Sequence, residues 1–202
     1  DLTVPACPCA KCDQPSENCL FVSALWHTKL VSALDVDLGS APGGEPRVLR
    51  VVNASFATSG FAPEEVVEAV WAAHRRGVLV VAATGDQSLA SPSPRFPANL
   101  PFVLGVGGST WEDRFWDATA SCYAGSNGTT LGQDQVDLTA PASGAVVTTF
   151  PFENPIGAGL YAPTTGQCSA AAALVTGAAG VVQSVSLRTR GVPLSPDDLA
   201  GV

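Results

Sequence analysis

The chain has 202 residues, enough for one domain with a sizeable core, and 46% hydrophobic against 14% charged content excludes a disordered segment. A net charge of -8, with ten Lys and Arg spread thinly, excludes a nucleic-acid-binding face, which needs clustered cations to neutralise phosphates. No run reaches the ~18 apolar residues of a membrane span, so no membrane span is expected.

Residues 1–27 form a Cys- and Pro-rich head, read as a loop or stapled insertion, with 28–202 as the body of the domain. Cys7, Cys9, Cys12 and Cys19 cluster there, while Cys122 and Cys168 stand apart. The even count and acidic, Pro-rich setting favour disulfides in a secreted or periplasmic protein. A four-thiolate zinc site and free thiols stay open as alternatives, although CxCxxCx6C lacks the paired spacing of zinc ribbons.

Leu30, Val31, Leu34 and Leu38 recur at helical spacing, which predicts a helix over 28–38. Ser40 to Pro46 is a turn-rich break, and Val48 to Asn53 is a β-branched strand. Pro63, Glu64 and Glu65 open a second helix that Arg75, Arg76 and Gly77 close. Val78 to Ala83 is wholly apolar, as a parallel strand covered on both faces should be. This strand–helix–strand unit implies a right-handed crossover in an open α/β sheet. Further strands are predicted at Phe102 to Val106, Val136 to Thr139 and Ala145 to Thr149, then an Ala-rich helix over 169–185. Ser195, Pro196, Asp197 and Asp198 open a last helix with a capping Ser and first-turn acids. The start at Asp1 and the stop inside this helix read as cut ends.

Several of these segments resemble the subtilisin-like (subtilase) serine peptidases. Val51-Val52-Asn53-Ala54-Ser55-Phe56-Ala57 resembles that family's strand ending in Asn-x-Ser-Leu-Gly. Val80 to Asp86 resembles Val-Ala-Ala-x-Gly-Asn, and Phe96-Pro97-Ala98 to Gly107 and Val136 to Pro141 are similar to further family signatures. Gly166-Gln167-Cys168-Ser169-Ala170-Ala171 resembles the Gly-Thr-Ser-Met-Ala turn, and a gapless alignment back from Gly177 puts Ser169 at the nucleophile. The resemblance covers about residues 28 to 202. It implies a mostly parallel sheet in a three-layer α/β sandwich, and hydrolysis of peptide bonds.

Under this resemblance Ser169 is the nucleophile position and Asp86 the oxyanion-hole position. The segments Ser55-Phe56-Ala57 and Ala82-Ala83-Thr84-Gly85 wall the substrate pocket, where a peptide pairs as an added strand. Taken alone, a Ser before an Ala-rich helix is an N-cap. The family's catalytic Asp strand and His-Gly-Thr-His helix are absent. His27 echoes the latter only faintly, and His74 reads as a surface residue. Asp86 replaces the family Asn; ionised it repels an oxyanion, whereas protonated it can donate. Gln167-Cys168 replace Gly-Thr, and Ala173 the usual Pro.

Two readings follow. One is an endopeptidase whose Asp and His lie outside this chain, with the missing N-terminal half of the domain, covalent or as a second chain, as its partner and a peptide or protein as its substrate. The other is an inactive subtilase-fold scaffold. Glu112, Asp113 and Asp117 are candidates for a calcium ion, with plain surface acids as the alternative. Asn53 and Asn127 match the glycosylation pattern, the first in a strand expected to be buried.

Overall fold

The computed structural model describes residues 17–44, 46–86, 95–110, 114, 116, 136–148, 161–165 and 167–201. Its centre is a four-stranded parallel sheet in the order β1 (Val51–Ala54), β3 (Leu79–Ala83), β5 (Val103–Ser109), β6 (Leu138–Pro141). The β3 and β5 strands are buried at every position, which explains their unbroken apolar and glycine runs. Two short antiparallel ribbons accompany the sheet: β2 (Thr58–Ser59) with β4 (Arg95–Phe96), and β7 (Ser143–Thr148) with β8 (Tyr161–Thr165).

Helices cover both faces, as the sequence predicts. On one side α1 (Glu17–Leu34) packs on α2 (Glu64–Arg75), enclosing Leu30, Val70, Ala73, Val80 and Ala82. On the other, α3 (Cys168–Arg190) crosses β1, β3, β5 and β6, and α4 (Pro196–Ala200) closes that layer. Strand alternation divides β3 between the two cores: Val80 and Ala82 meet the α1/α2 side, Leu79, Val81 and Ala83 the α3 side.

The buried apolar residues of α3 are Cys168, Ala171, Ala172, Val175 and Ala179, an i, i+3, i+4, i+7, i+11 stripe of small groups that lets the helix lie close to the sheet. Its most apolar 18-residue window has a mean hydropathy of 1.6, so by length and composition it could cross a membrane; a core helix packed on a sheet passes the same test. Gln183, buried at 4%, donates through Nε2 to the Leu194 carbonyl (2.9 Å) and accepts from the Leu194 N–H (3.0 Å). Ser186 Oγ donates to the Val192 carbonyl at 2.9 Å. These bonds fix the chain as it turns from α3 to α4.

Helix ends follow the sequence signals closely. Gly77 and Gly191 take positive φ (75° and 73°) where α2 and α3 stop, a conformation that costs other residues a Cβ clash. Ser195 caps α4, its Oγ accepting from the Asp198 N–H at 3.1 Å.

Two expectations are corrected. The predicted first helix begins at Glu17 and ends at Leu34, so it reaches back into the Cys-rich head and takes in Cys19, while Leu38 lies beyond it. Asn53 is exposed rather than buried, because β1 turns that side chain outward. Cys7, Cys9, Cys12, Cys122, Glu112, Asp113, Asp117 and Asn127 lie outside the described residues. Among the described residues no three His, Cys, Asp or Glu side chains come together as metal ligands.

Candidate active site

Parallel strands that run the same way deliver their carboxyl ends to one rim. Here β1 brings Ser55, Phe56 and Ala57 to that rim, and β3 brings Thr84, Gly85 and Asp86. The α3 helix starts against both.

The contacts there are specific. Ser169 Oγ donates to the Ser55 carbonyl at 2.8 Å, and Ser55 Oγ donates to the Ser169 carbonyl at 2.8 Å. Asn53 Nδ2 donates to Ser55 Oγ at 2.9 Å and so holds that hydroxyl in place. The Cys168 N–H donates to Asp86 Oδ1 at 2.7 Å, and the Cys168 thiol donates to the Gly85 carbonyl at 3.1 Å. Gly85 takes a φ of 95°, which turns the chain toward α3.

An amide in the first turn of a helix has no partner within the helix and favours negative charge. The Asp86 carboxyl fills that role for α3, 82 positions away in sequence. Burial pushes the Asp86 carboxyl above the ordinary carboxylate range, while the Cys168 N–H and thiol pull it back down. With Oδ1 engaged by the Cys168 N–H, Oδ2 is the oxygen left to take a proton, and the protonated form can donate through it.

The N-cap of α3 is Gln167, with no side-chain capping bond, and Ser169 lies inside the first turn. The capping role that an isolated serine at this point suggests is therefore not the one adopted: the hydroxyl reaches across to the β1 wall instead. Among the pocket residues, Ala82, Ala83 and Thr84 are buried, and Ser55, Phe56, Ala57, Gly85 and Asp86 are half-buried.

Neither histidine hydrogen-bonds to Ser169. His27 Nε2 lies 3.3 Å from its neighbour Thr28 Oγ1. His74 pairs with Asp197 at 2.9 Å and packs against Trp71 and Phe102, its side chain 16% exposed. It is thus less exposed than its place in a polar helix end suggests, because Phe102 and α4 fold over it.

Two features escaped the sequence. Trp26 of α1 meets Phe56 edge-on, ring centroids 5.4 Å apart, so α1 contributes to the pocket wall. Arg95 lies buried in β4, paired with the strand that continues that wall.

The subtilase family profile matches residues 27–201. Among curated proteins no sequence matches. Solved structures similar to this chain include the prenylagaramide maturation protease PagA, with a TM-score of 0.61 and 22% identity over 89% of this chain and 55% of that one. The self-cleaved protease domain of PatA is similar at a TM-score of 0.62 and 21% identity, covering 89% and 57%. A lanthipeptide protease follows at 0.64 and 18%, covering 89% and 56%. At these identities the likeness is one of fold, and the chain spans little more than half the length of these relatives.

Proposed function

We propose, from the premise that this chain belongs to the subtilase family, that it forms the C-terminal part of a secreted serine endopeptidase domain whose catalytic Asp and His come from sequence outside it. The observation that carries this reading is the meeting of Ser169, Ser55, Cys168 and Asp86 at the start of α3.

In this reading Ser169 Oγ gives up its bond to the Ser55 carbonyl when a histidine takes its proton, and attacks the carbonyl carbon of a bound peptide. The C–N bond breaks, the histidine passes the proton to the leaving amine, and water then hydrolyses the acyl-enzyme. The developing oxyanion lies by the N-terminus of α3, with Oδ2 of protonated Asp86 as a further donor. The strand ends Ser55-Phe56-Ala57 and Ala82-Ala83-Thr84-Gly85 flank the substrate, which adds to them as a strand.

The missing half of the domain is supported by surfaces on this half. The edge of β1 away from β3 has no strand beside it among the described residues. Leu174, Val181 and Val185 of α3 are 43%, 64% and 52% exposed on a helix that otherwise packs as a core element.

The test is fluorophosphonate labelling of the full-length protein, read by intact mass and peptide mapping. A label on Ser169 is the expected result. No label, in a folded sample that includes the Asp and His segments, sinks the peptidase reading.

A further inference from the structure

The outward face of α2 carries a charge pattern that is complementary to itself. Glu64, Val67, Glu68, Trp71 and Arg75 stand at i, i+3, i+4, i+7 and i+11, one stripe of the helix, and all are exposed. The acids lie toward its start and the arginine at its end. Glu64, Glu68 and Arg75 form no ion pair among the described residues, whereas the adjacent Arg76 is held by Asp35.

Beside this stripe lies exposed apolar surface. Trp71 is 41% exposed and Phe102 42%, their ring centroids 4.6 Å apart. Phe102 holds that place with a φ of 69°, a left-handed conformation that is costly for a residue with a Cβ. A groove of about 290 Å³, lined by Val67, Val70, Trp71, Leu100, Pro101 and Phe102, runs between α2 and the turn into β5. A cavity of ~150 Å³ already admits a benzene ring, so the groove has room for an aromatic side chain. At the other end of α2 stands Phe61, 92% exposed and the most exposed large apolar residue among those described.

We infer that this face pairs with the same face of a second copy of the chain, the two α2 helices lying antiparallel about a twofold axis. With the axis between Glu68 and Trp71, each Glu64 lies opposite the other copy's Arg75. Each Glu68 then lies opposite the other copy's Trp71, whose indole N–H is a hydrogen-bond donor suited to a carboxylate. Every charge on the stripe meets a complementary group, twice over. The same pairing carries Phe61 just past the end of the opposite helix, to the level of its Phe102 and the end of the groove. A parallel pairing would set Glu64 against Glu64 and Arg75 against Arg75, so the pattern selects the antiparallel one. A net charge of -8 on each copy opposes association at long range, so contact depends on these local pairs. The α2 helix lies on the face of the sheet away from α3, so the pairing leaves Ser169 open and does not rest on the peptidase reading.

The test is analytical ultracentrifugation of the full-length protein over a concentration series, with melting curves to confirm folding. A reversible monomer–dimer equilibrium is expected. Glu64→Arg puts like charge opposite Arg75 and should weaken the dimer about 10-fold or more, as should Arg75→Glu, which opposes two acids. Mixing these two variants should restore dimers as a hetero-pair, because one copy then offers two cations where the other offers two anions. Trp71→Ala should abolish the dimer. A monomer at every concentration overturns the inference. So does a dimer that withstands either charge reversal, or a mixture of the two folded variants that stays monomeric. Should a reversal variant fail to fold, Trp71→Ala decides, and a dimer that survives it overturns the inference.

Discussion

Ser55 and Ser169, 114 positions apart, exchange hydrogen bonds: each hydroxyl donates to the other's backbone carbonyl at 2.8 Å. The wall of the pocket and the first turn of α3 are therefore one unit, and a shift of either moves the other.

Replacing Ser169 by Ala tests both halves of that unit. In the full-length protein, fluorophosphonate labelling and peptide hydrolysis should vanish. Stability should fall by only about 1 kcal/mol, the worth of one hydrogen bond, which urea unfolding would detect.

Asp86→Asn tests the oxyanion position through pH. Burial raises the native pKa of Asp86, so the wild-type rate should fall as pH rises through that value and the Oδ2 proton leaves. The variant keeps a donor and should lack this fall, exceeding the wild type by up to ~10²-fold at alkaline pH. Stability moves in the same sense. A raised native pKa contributes stability below the unfolded pKa that is lost as pH rises through the native one. The melting temperature of Asp86→Asn should therefore exceed the wild type's at neutral pH and approach it in acid.

Gln183→Leu should cost about 2–4 kcal/mol, since it strips partners from both the N–H and the carbonyl of Leu194. The measurement is urea unfolding with the slope unchanged. A loss under 0.5 kcal/mol would mean that water reaches those groups.

Trp116→Ala should cost about 3–5 kcal/mol. Trp116 is 1% exposed, in the same core cluster as Cys168, Ala171 and Ala172 of α3. Thermal melts should report the loss, and peptidase activity should fall with it as the first turn of α3 loosens.

The parts legible in the sequence are those where a single physical signal runs unopposed. The β3 strand is apolar throughout because both faces are covered, and α2 carries Pro63, Glu64 and Glu65 at one end and Arg76 and Gly77 at the other. The β2 and β4 strands, two residues each, are too short for any period, and a lone Arg in such a segment reads as surface. The α3 helix runs on to Arg190 because Gln183 and Ser186, which look like the polar end of a helix, are spent on carbonyls of the following turn. At the site, the pairing of the walls with Ser169 came from motif resemblance; periodicity carries no information about it. The role of Cys168 was hidden because the contact uses its backbone N–H, which every residue but proline possesses.

The two ends of the parallel sheet divide the work of the molecule. At the carboxyl ends of β1 and β3 lie Ser55, Thr84 and Asp86, while near the amino ends of β3 and β5 the clasp of His74 with Asp197 and the rings of Trp71 and Phe102 tie helices together. Substitutions at one end are separated from the other by the length of the strands, too far for direct contact. Such a scaffold can take substitutions at the rim while its fastening at the other end stays in place, which makes the rim the natural place to graft a new preference.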